Sequence, residues 1–256
     1  METTKKSQIV GIKNAGIVII CCFILAVCIY QFLLGNPSNF MNNDPNNHPL
    51  NMLGTIYKGG VIVPVIQTLL LTVLALSIER YFALRSAFGK GSLAKFVANI
   101  KEALATGDLK KAQEICDQQR GSVANVVTAT LRKYEEMEKN TALPKEQKLL
   151  AIQKELEEAT ALEMPMMQQN LPIIATITTL GTLMGLLGTV IGMIRSFAAL
   201  SAGGGADSMA LSQGISEALI NTAFGILTGA LAVISYNYYT NKIDKLTYGL
   251  DEVGFS

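Results

Sequence analysis

The chain has 256 residues, 50% of them hydrophobic, no Trp and a formal net charge of +1. Most charges fall between Arg80 and Glu163 while the flanking stretches are nearly uncharged, which excludes a globular soluble enzyme and describes a membrane protein with one charged domain. The near-neutral total, with no basic stripe carrying interleaved aromatics, also excludes nucleic-acid binding.

In chain order, residues 1–14 form a tail bearing Lys5, Lys6 and Lys13, and Ala15–Leu34 is the first uncharged stretch long enough to span a bilayer. Its apolar part is longer than a signal-peptide core, and Gly35-Asn-Pro-Ser is a poor cleavage site, so an uncleaved helix is expected. An Asn/Pro-rich loop follows over 35–58, and a second span over 59–79. Residues 80–165 read as a helical domain. Leu93, Phe96, Val97, Ile100 and Leu104 keep helical spacing, and Gly107-Asp108 stops that helix and caps the next. Leu109–Arg120 continues to Gly121, Val123–Lys139 forms a longer stretch, and Pro144–Met164 leads through Pro165 into the third span as one kinked helix. Its Glu/Lys runs are solvated helix faces. A hairpin occupies 166–240, with spans at about 171–196 and 210–239, and residues 241–256 form a second tail.

Lys and Arg set the direction. The first tail, the segment after the second span (Arg80, Arg85, Lys90, Lys95) and the last tail (Lys242, Lys245) are basic, whereas Gly35–Tyr57 and Ser201–Ala210 carry none. Both termini and the charged domain are therefore expected in the cytoplasm, with both short loops outside. Pro64 and Pro172 fall in first turns, where a missing N–H costs little. Cys21, Cys22, Cys28 and Cys116 lack metal-ligand spacing and His48 is the single His, so no metal or cofactor is expected.

The hairpin carries the chemistry. Thr178, Thr182, Gly185, Thr189, Gly192 and Ser196 recur at three- and four-residue steps, overlapped by a ridge of Gly181, Gly185, Gly188 and Gly192. Ala218, Thr222, Gly225, Gly229 and Ala232 repeat the pattern on the fourth span. Small residues at this spacing let membrane helices approach closely, and most of the hydroxyls are expected to bond back to backbone carbonyls. Thr189 and Thr222 are equidistant from the loop centre between Gly205 and Ala206, which puts them at one depth, roughly 16 Å below the loop end at about 1.5 Å per residue. The same arithmetic sets Arg195 level with Ser216, beside Glu217. A carboxylate inside a span costs about 2.5–3.5 kcal/mol unless it faces protein or water. Glu217 therefore has two open roles: a salt bridge with Arg195 that fixes the hairpin, or gating and proton delivery. The stripe holds no titratable group deeper than Glu217, so a carboxylate that carries a proton would come from another chain.

At Gly185-Leu-Leu-Gly-Thr-Val-Ile-Gly-Met-Ile-Arg-Ser-Phe197, and at Gly214-Ile-Ser-Glu-Ala-Leu-Ile-Asn-Thr-Ala-Phe-Gly-Ile226 ending in Tyr236-Asn237, the sequence resembles the MotA/TolQ/ExbB proton-channel family. Ser77-Ile-Glu-Arg-Tyr81 looks like the cytoplasmic end of the family's first conserved span, and the likeness covers about residues 55–245. It is greatest to the ExbB branch, with TolQ next and the flagellar stators behind. The resemblance implies an all-α inner-membrane ring of five copies around a single-span ExbD- or TolR-like partner that supplies a membrane aspartate. Protons would be the coupling ion, and a TonB-like protein would pass the work to an outer-membrane transporter. Thr189 and Thr222 match the family's pore threonines and Glu217 its fourth-span glutamate, with Thr182 on the same stripe. There are two departures. Leu231 stands where many relatives have proline, and the span Ala15–Leu34 is additional to the usual three and is a candidate for docking a further subunit. A TolQ-like role in envelope integrity and a non-conducting membrane scaffold remain alternatives. An enzyme is not expected: Gly-x-Ser-x-Gly, a metal-spaced His/Glu pair and a phosphate loop are all missing, and Gly89-Lys90-Gly91-Ser92 reads as a turn.

Overall fold

A computed structural model describes residues 14–45, 47–202 and 208–254. Part of the loop Ser201–Ala210 and nearly all of the first tail lie outside the described residues, as do the last two of the second. Among the described residues the chain is helical and lacks strands, apart from one antiparallel bridge between Phe40 and Pro49. The helices are α1 (Ala15–Cys28, prolonged by a π-helical turn Ile29–Leu34), α2 (Met52–Lys58), α3 (Ile62–Phe88), α4 (Leu93–Ala105), α5 (Leu109–Gln119), α6 (Gly121–Lys139), α7 (Lys145–Gln168), α8 (Leu171–Ala202) and α9 (Ser208–Gly254). Among the described residues, four helical stretches are long and apolar enough to cross a membrane: α1 with its π turn, and those containing α3, α8 and α9.

The chain divides into two compact units. Of the described residues, one comprises those from 14 to 77 and within Asn170–Asn237, and the other Ile78–Gln169 with those from Tyr238 to Gly254. In the first unit large apolar side chains are widely exposed, among them Phe32, Leu183, Ile194, Leu219 and Ile234. A water-soluble fold rarely shows such surface, and a lipid-facing one requires it.

The second unit has an ordinary core. Phe96, Val97 and Ile100 of α4, Cys116 of α5, Val123 and Val127 of α6, and Leu246 and Leu250 of α9 are buried. Gly249 of α9 lies against Leu93, and Lys101 pairs with Glu252 at 2.7 Å. Asp108 caps α5 by accepting from the Lys111 N–H at 2.9 Å. The turn Gly89–Ser92 crosses the α5–α6 link so closely that the Lys90 N–H donates to the Gln119 carbonyl at 2.6 Å, and Gly89 takes the left-handed φ of +74° there. Residue 121 does not end α5. It opens α6 instead.

The expected single helix running through Pro165 into the third span is instead two helices. Pro165 lies inside α7, which ends at Gln168, and Asn170 takes φ +66° and offers its carbonyl to the first amides of α8. The physical cause is Arg80. Its side chain is fully buried and donates to the carbonyls of Met166 (3.1 Å) and Met167 (3.2 Å), the last turn of α7. A cation there satisfies carbonyls that the helix itself cannot. Glu79 completes the arrangement, with Nε donating to its Oε2 at 2.6 Å and Nη2 paired to its Oε1.

Removing one partner of a buried pair leaves an uncompensated charge and costs about 3–5 kcal/mol. Arg80→Ala is therefore expected to lower the thermal midpoint of the purified chain by several degrees, while Lys154→Ala, at an exposed pair with Glu158, leaves it in place. Burial also pushes the Cys116 thiol from 9.0 up to about 11, against a hydrogen bond from Thr128 that favours the thiolate. The folded state holds this proton more tightly than the unfolded chain, so its contribution is complete below pH 9.0 and is lost as pH rises toward 11. Alkylation of Cys116 in the native protein is expected to be negligible near pH 7.5 and to appear only as the fold loosens in that alkaline window.

Candidate functional site

Helices α8 and α9 meet along glycine. A Cβ added at Gly181 would fall 3.1 Å from the Gly229 N, one at Gly185 3.0 Å from the Gly225 Cα, one at Gly188 2.5 Å from the Asn221 Cβ, and one at Gly192 2.8 Å from the Ala218 Cβ. Each contact joins residues equidistant, within two positions, from the loop centre given by the sequence. Backbones at this separation leave no room for side chains, and all six ridge glycines, Gly181, Gly185, Gly188, Gly192, Gly225 and Gly229, are buried.

This close approach brings two hydroxyls together. The Oγ1 atoms of Thr189 and Thr222 share a short hydrogen bond, and both lie within reach of the Gly185 carbonyl, at 3.2 Å and 3.4 Å. The other stripe hydroxyls bond back along their own helix: Thr178 to Ala175, Ser196 to Gly192, Thr228 to Phe224. Thr182 does likewise toward Thr178 at 3.5 Å and lies against Gly229, about two turns along α8 from Thr189. Thr189 also borders an open groove of about 490 Å³ whose other walls are Leu186, Val190, Met193, Ile194 and Phe197, all on α8.

Arg195 and Glu217 do not form the candidate salt bridge: no ion pair joins them among the described residues. Glu217 Oε1 instead accepts from Gln213 Nε2 at 3.1 Å, one turn earlier on α9. The Arg195 guanidinium stands over Gly60, where an added Cβ would lie 2.9 Å from Nη1. Equal depth along a hairpin did not imply facing side chains, because a residue's angular position round its helix decides that separately.

Two residues were missed from sequence. Asn221 is 3% exposed and donates Nδ2 to the Gly59 carbonyl at 3.0 Å. Lys58 carries its ammonium over the Phe40 ring at 5.9 Å. An amide in mid-span was a legible signal for the first. Nothing in a loop lysine's sequence marked the second.

Gly225→Ala would set a methyl 2.6 Å from the Gly185 Cα and 2.7 Å from the Gly181 carbonyl oxygen, backbone atoms that cannot move aside. A loss of about 1–3 kcal/mol is expected, read as a lower thermal midpoint. Gly16→Ala, with nothing within 4 Å, is expected to leave the midpoint unchanged or slightly raised.

Comparison with known proteins adds the following. A family model described as the MotA/TolQ/ExbB proton channel family matches residues 119–252. An ExbB-like biopolymer transport protein 1 from Synechocystis sp. is 33% identical over 193 residues, 72% of this chain and 69% of that protein. An ExbB-like protein 3 from the same organism is 36% identical over 86 residues, 33% of this chain, and the match spans less than half of it, 41%. The Tol-Pal system protein TolQ of Pseudomonas aeruginosa is 25% identical over 189 residues, 71% of this chain and 81% of that protein.

Proposed function

The chain belongs to the MotA/TolQ/ExbB proton channel family, and from that premise we propose that it is the channel-forming stator subunit of an inner-membrane motor that turns proton motive force into mechanical work. The contact between the hydroxyls of Thr189 and Thr222 on two neighbouring spans carries this reading. A pair of rotatable O–H groups, flanked by a carbonyl and bordering an open apolar groove, can accept and pass on a hydrogen bond without holding a charge. Such a surface suits a partner helix that brings the titrating carboxylate itself.

In this proposal five copies surround a single-span ExbD- or TolR-like partner with a membrane aspartate. Both termini and the charged unit face the cytoplasm, as the Lys/Arg distribution favours. The ExbB-like role, energising outer-membrane transport through a TonB-like protein, is preferred over the TolQ-like one, and no cofactor or enzymatic step is assigned. A proton crossing the membrane releases about 2.3 kcal/mol per 100 mV, enough to bias a small rotation that repeats.

An affinity pull-down of the chain from its native membranes is expected to recover a small single-span protein with an intramembrane acidic residue, and the proteins that accompany it distinguish the TonB-like from the Tol-like branch. Replacing both Thr189 and Thr222 by Val removes the hydroxyls and keeps the shape. Proton-driven work by the assembled complex is expected to fall roughly tenfold or more, the scale of one lost hydrogen bond in the rate-limiting step. Undiminished work with normal assembly would instead favour the non-conducting scaffold.

A further inference from the structure

The depth of the threonine pair in a bilayer can be read from both ends of the spans. At one end stands the turn between α2 and α3. The helix breaks between Lys58 and Ile62, Gly60 takes φ +75°, and Val61 in the same break is 74% exposed. Irregular backbone open to lipid does not lie in hydrocarbon, and a lysine ammonium is costly there. The turn therefore sits at the edge of the hydrocarbon or outside it. Asn221 Nδ2 donates to the Gly59 carbonyl of this turn at 3.0 Å, and the Arg195 guanidinium stands over Gly60. Thr222 follows Asn221 directly, so the pair shares the level of the turn. Ile220 and Phe224, on either side of Thr222, pack against a buried cluster of Leu34, Ile56 and Val63. Leu34 is the last residue of the first span and Val63 the second of α3. The outer ends of two spans thus meet α9 at the residues that flank Thr222.

Counting from the opposite end gives the same level. Leu171 follows the polar run Gln168-Gln169-Asn170, and Thr189 stands eighteen residues further on, about 27 Å at 1.5 Å per residue. On α9, Thr222 stands twenty residues before Lys242, about 30 Å. A hydrocarbon core is about 30 Å thick, so both helices have used it up when they reach the pair. The first charges beyond it are Arg195 on α8 and Glu217 on α9, six and five residues on. Ser208, Ser212, Gln213 and Ser216 then make the start of α9 polar.

We propose that the outer boundary of the bilayer crosses the hairpin at Thr189 and Thr222, and that the helices beyond it, α8 to Ala202 and α9 from Ser208, stand outside as a two-helix stalk with Arg195 and Glu217 at its base. The stalk is roughly 20 Å long at 1.5 Å per residue. Glu217 then meets headgroups and water, and the cost of a carboxylate in hydrocarbon does not arise. The placement itself does not depend on ion flow. Its consequence rests on the channel reading: a proton arriving from outside reaches the threonine pair without entering hydrocarbon, and the whole crossing lies between the pair and the far side of the membrane.

The test is the reactivity of single cysteines in the full-length chain, in native membranes opened by sonication so that a charged maleimide reaches both faces. Ser212→Cys and Ser216→Cys occupy exposed positions of the stalk, about 15 and 9 Å beyond Thr222. Leu183→Cys and Ala230→Cys occupy exposed positions on the other side of the pair. The wild-type chain, with free thiols at Cys21, Cys22, Cys28 and Cys116, gives the background. The two stalk variants are expected to react about tenfold or more faster than the other two, because a thiol in hydrocarbon neither ionises nor meets the reagent. Equally fast reaction at all four positions overturns the placement. Where all four react slowly, bimane attached in detergent to the same cysteines, with bromine on the acyl chains of the reconstituting lipid, decides. Quenching confined to positions 183 and 230 supports the proposal, and quenching at 212 and 216 overturns it. The expected pattern in protein that passes no protons would remove the channel reading and leave the placement standing. Proton transport with quenching at 212 and 216 would do the reverse.

Discussion

Everything in the hairpin depends on how closely two backbones can approach inside an apolar solvent. Lipid tails are as apolar as leucine, so two spans gain little by burying large side chains against each other. Attraction has to come from contact between main chains, which only hydrogen or methyl side chains permit. The glycine ridge of α8 and the Ala218–Gly229 ridge of α9 meet this condition over about three turns. The bulky residues are turned elsewhere: Leu183, Leu186 and Ile194 on α8, Leu219 and Ile226 on α9, all exposed. The threonine contact is a consequence, since hydroxyls on short side chains touch only when the helices are this close.

Charge burial organises the other unit by a different rule. Arg80 is fully buried next to Glu79 and survives because four of its N–H groups have acceptors, two on the carboxylate and two on the end of α7. The pair thus satisfies the last carbonyls of α7, and beyond the end of that helix stands Asn170, one of the residue types that tolerate left-handed backbone. Nearby, the Lys242 ammonium lies 4.6 Å from the Tyr238 ring and 5.8 Å from that of Tyr81. Aromatic rings with cations at the ends of long apolar helices are the arrangement favoured at a membrane boundary.

A single helix, α9, serves several neighbours because successive residues point about 100° apart. Thr222 faces α8 while Asn221, one step round, reaches the Gly59 carbonyl, and its Cβ still abuts Gly188. Further along, the same helix buries Ile243, Leu246 and Leu250 in the charged unit. It runs unbroken from Ser208 to Gly254, in keeping with Leu231 where a proline would have interrupted it.

The sequence alone determined the class, the number of apolar helices long enough to span, and the glycine and threonine ridges, because helical period and composition are local properties of the chain. It also predicted that Thr189 and Thr222 share a level, since position along a helix follows from counting residues. Only the tertiary structure decided which side chains face each other. Arg195 and Glu217 share a level and do not pair, because facing depends on rotation about two helix axes and on the segment that covers them. The partner of the Gly59 carbonyl, 162 positions away at Asn221, and the break between α7 and α8 followed from contacts between distant segments. No count along the chain contains those contacts, because they form only where packing brings such segments together.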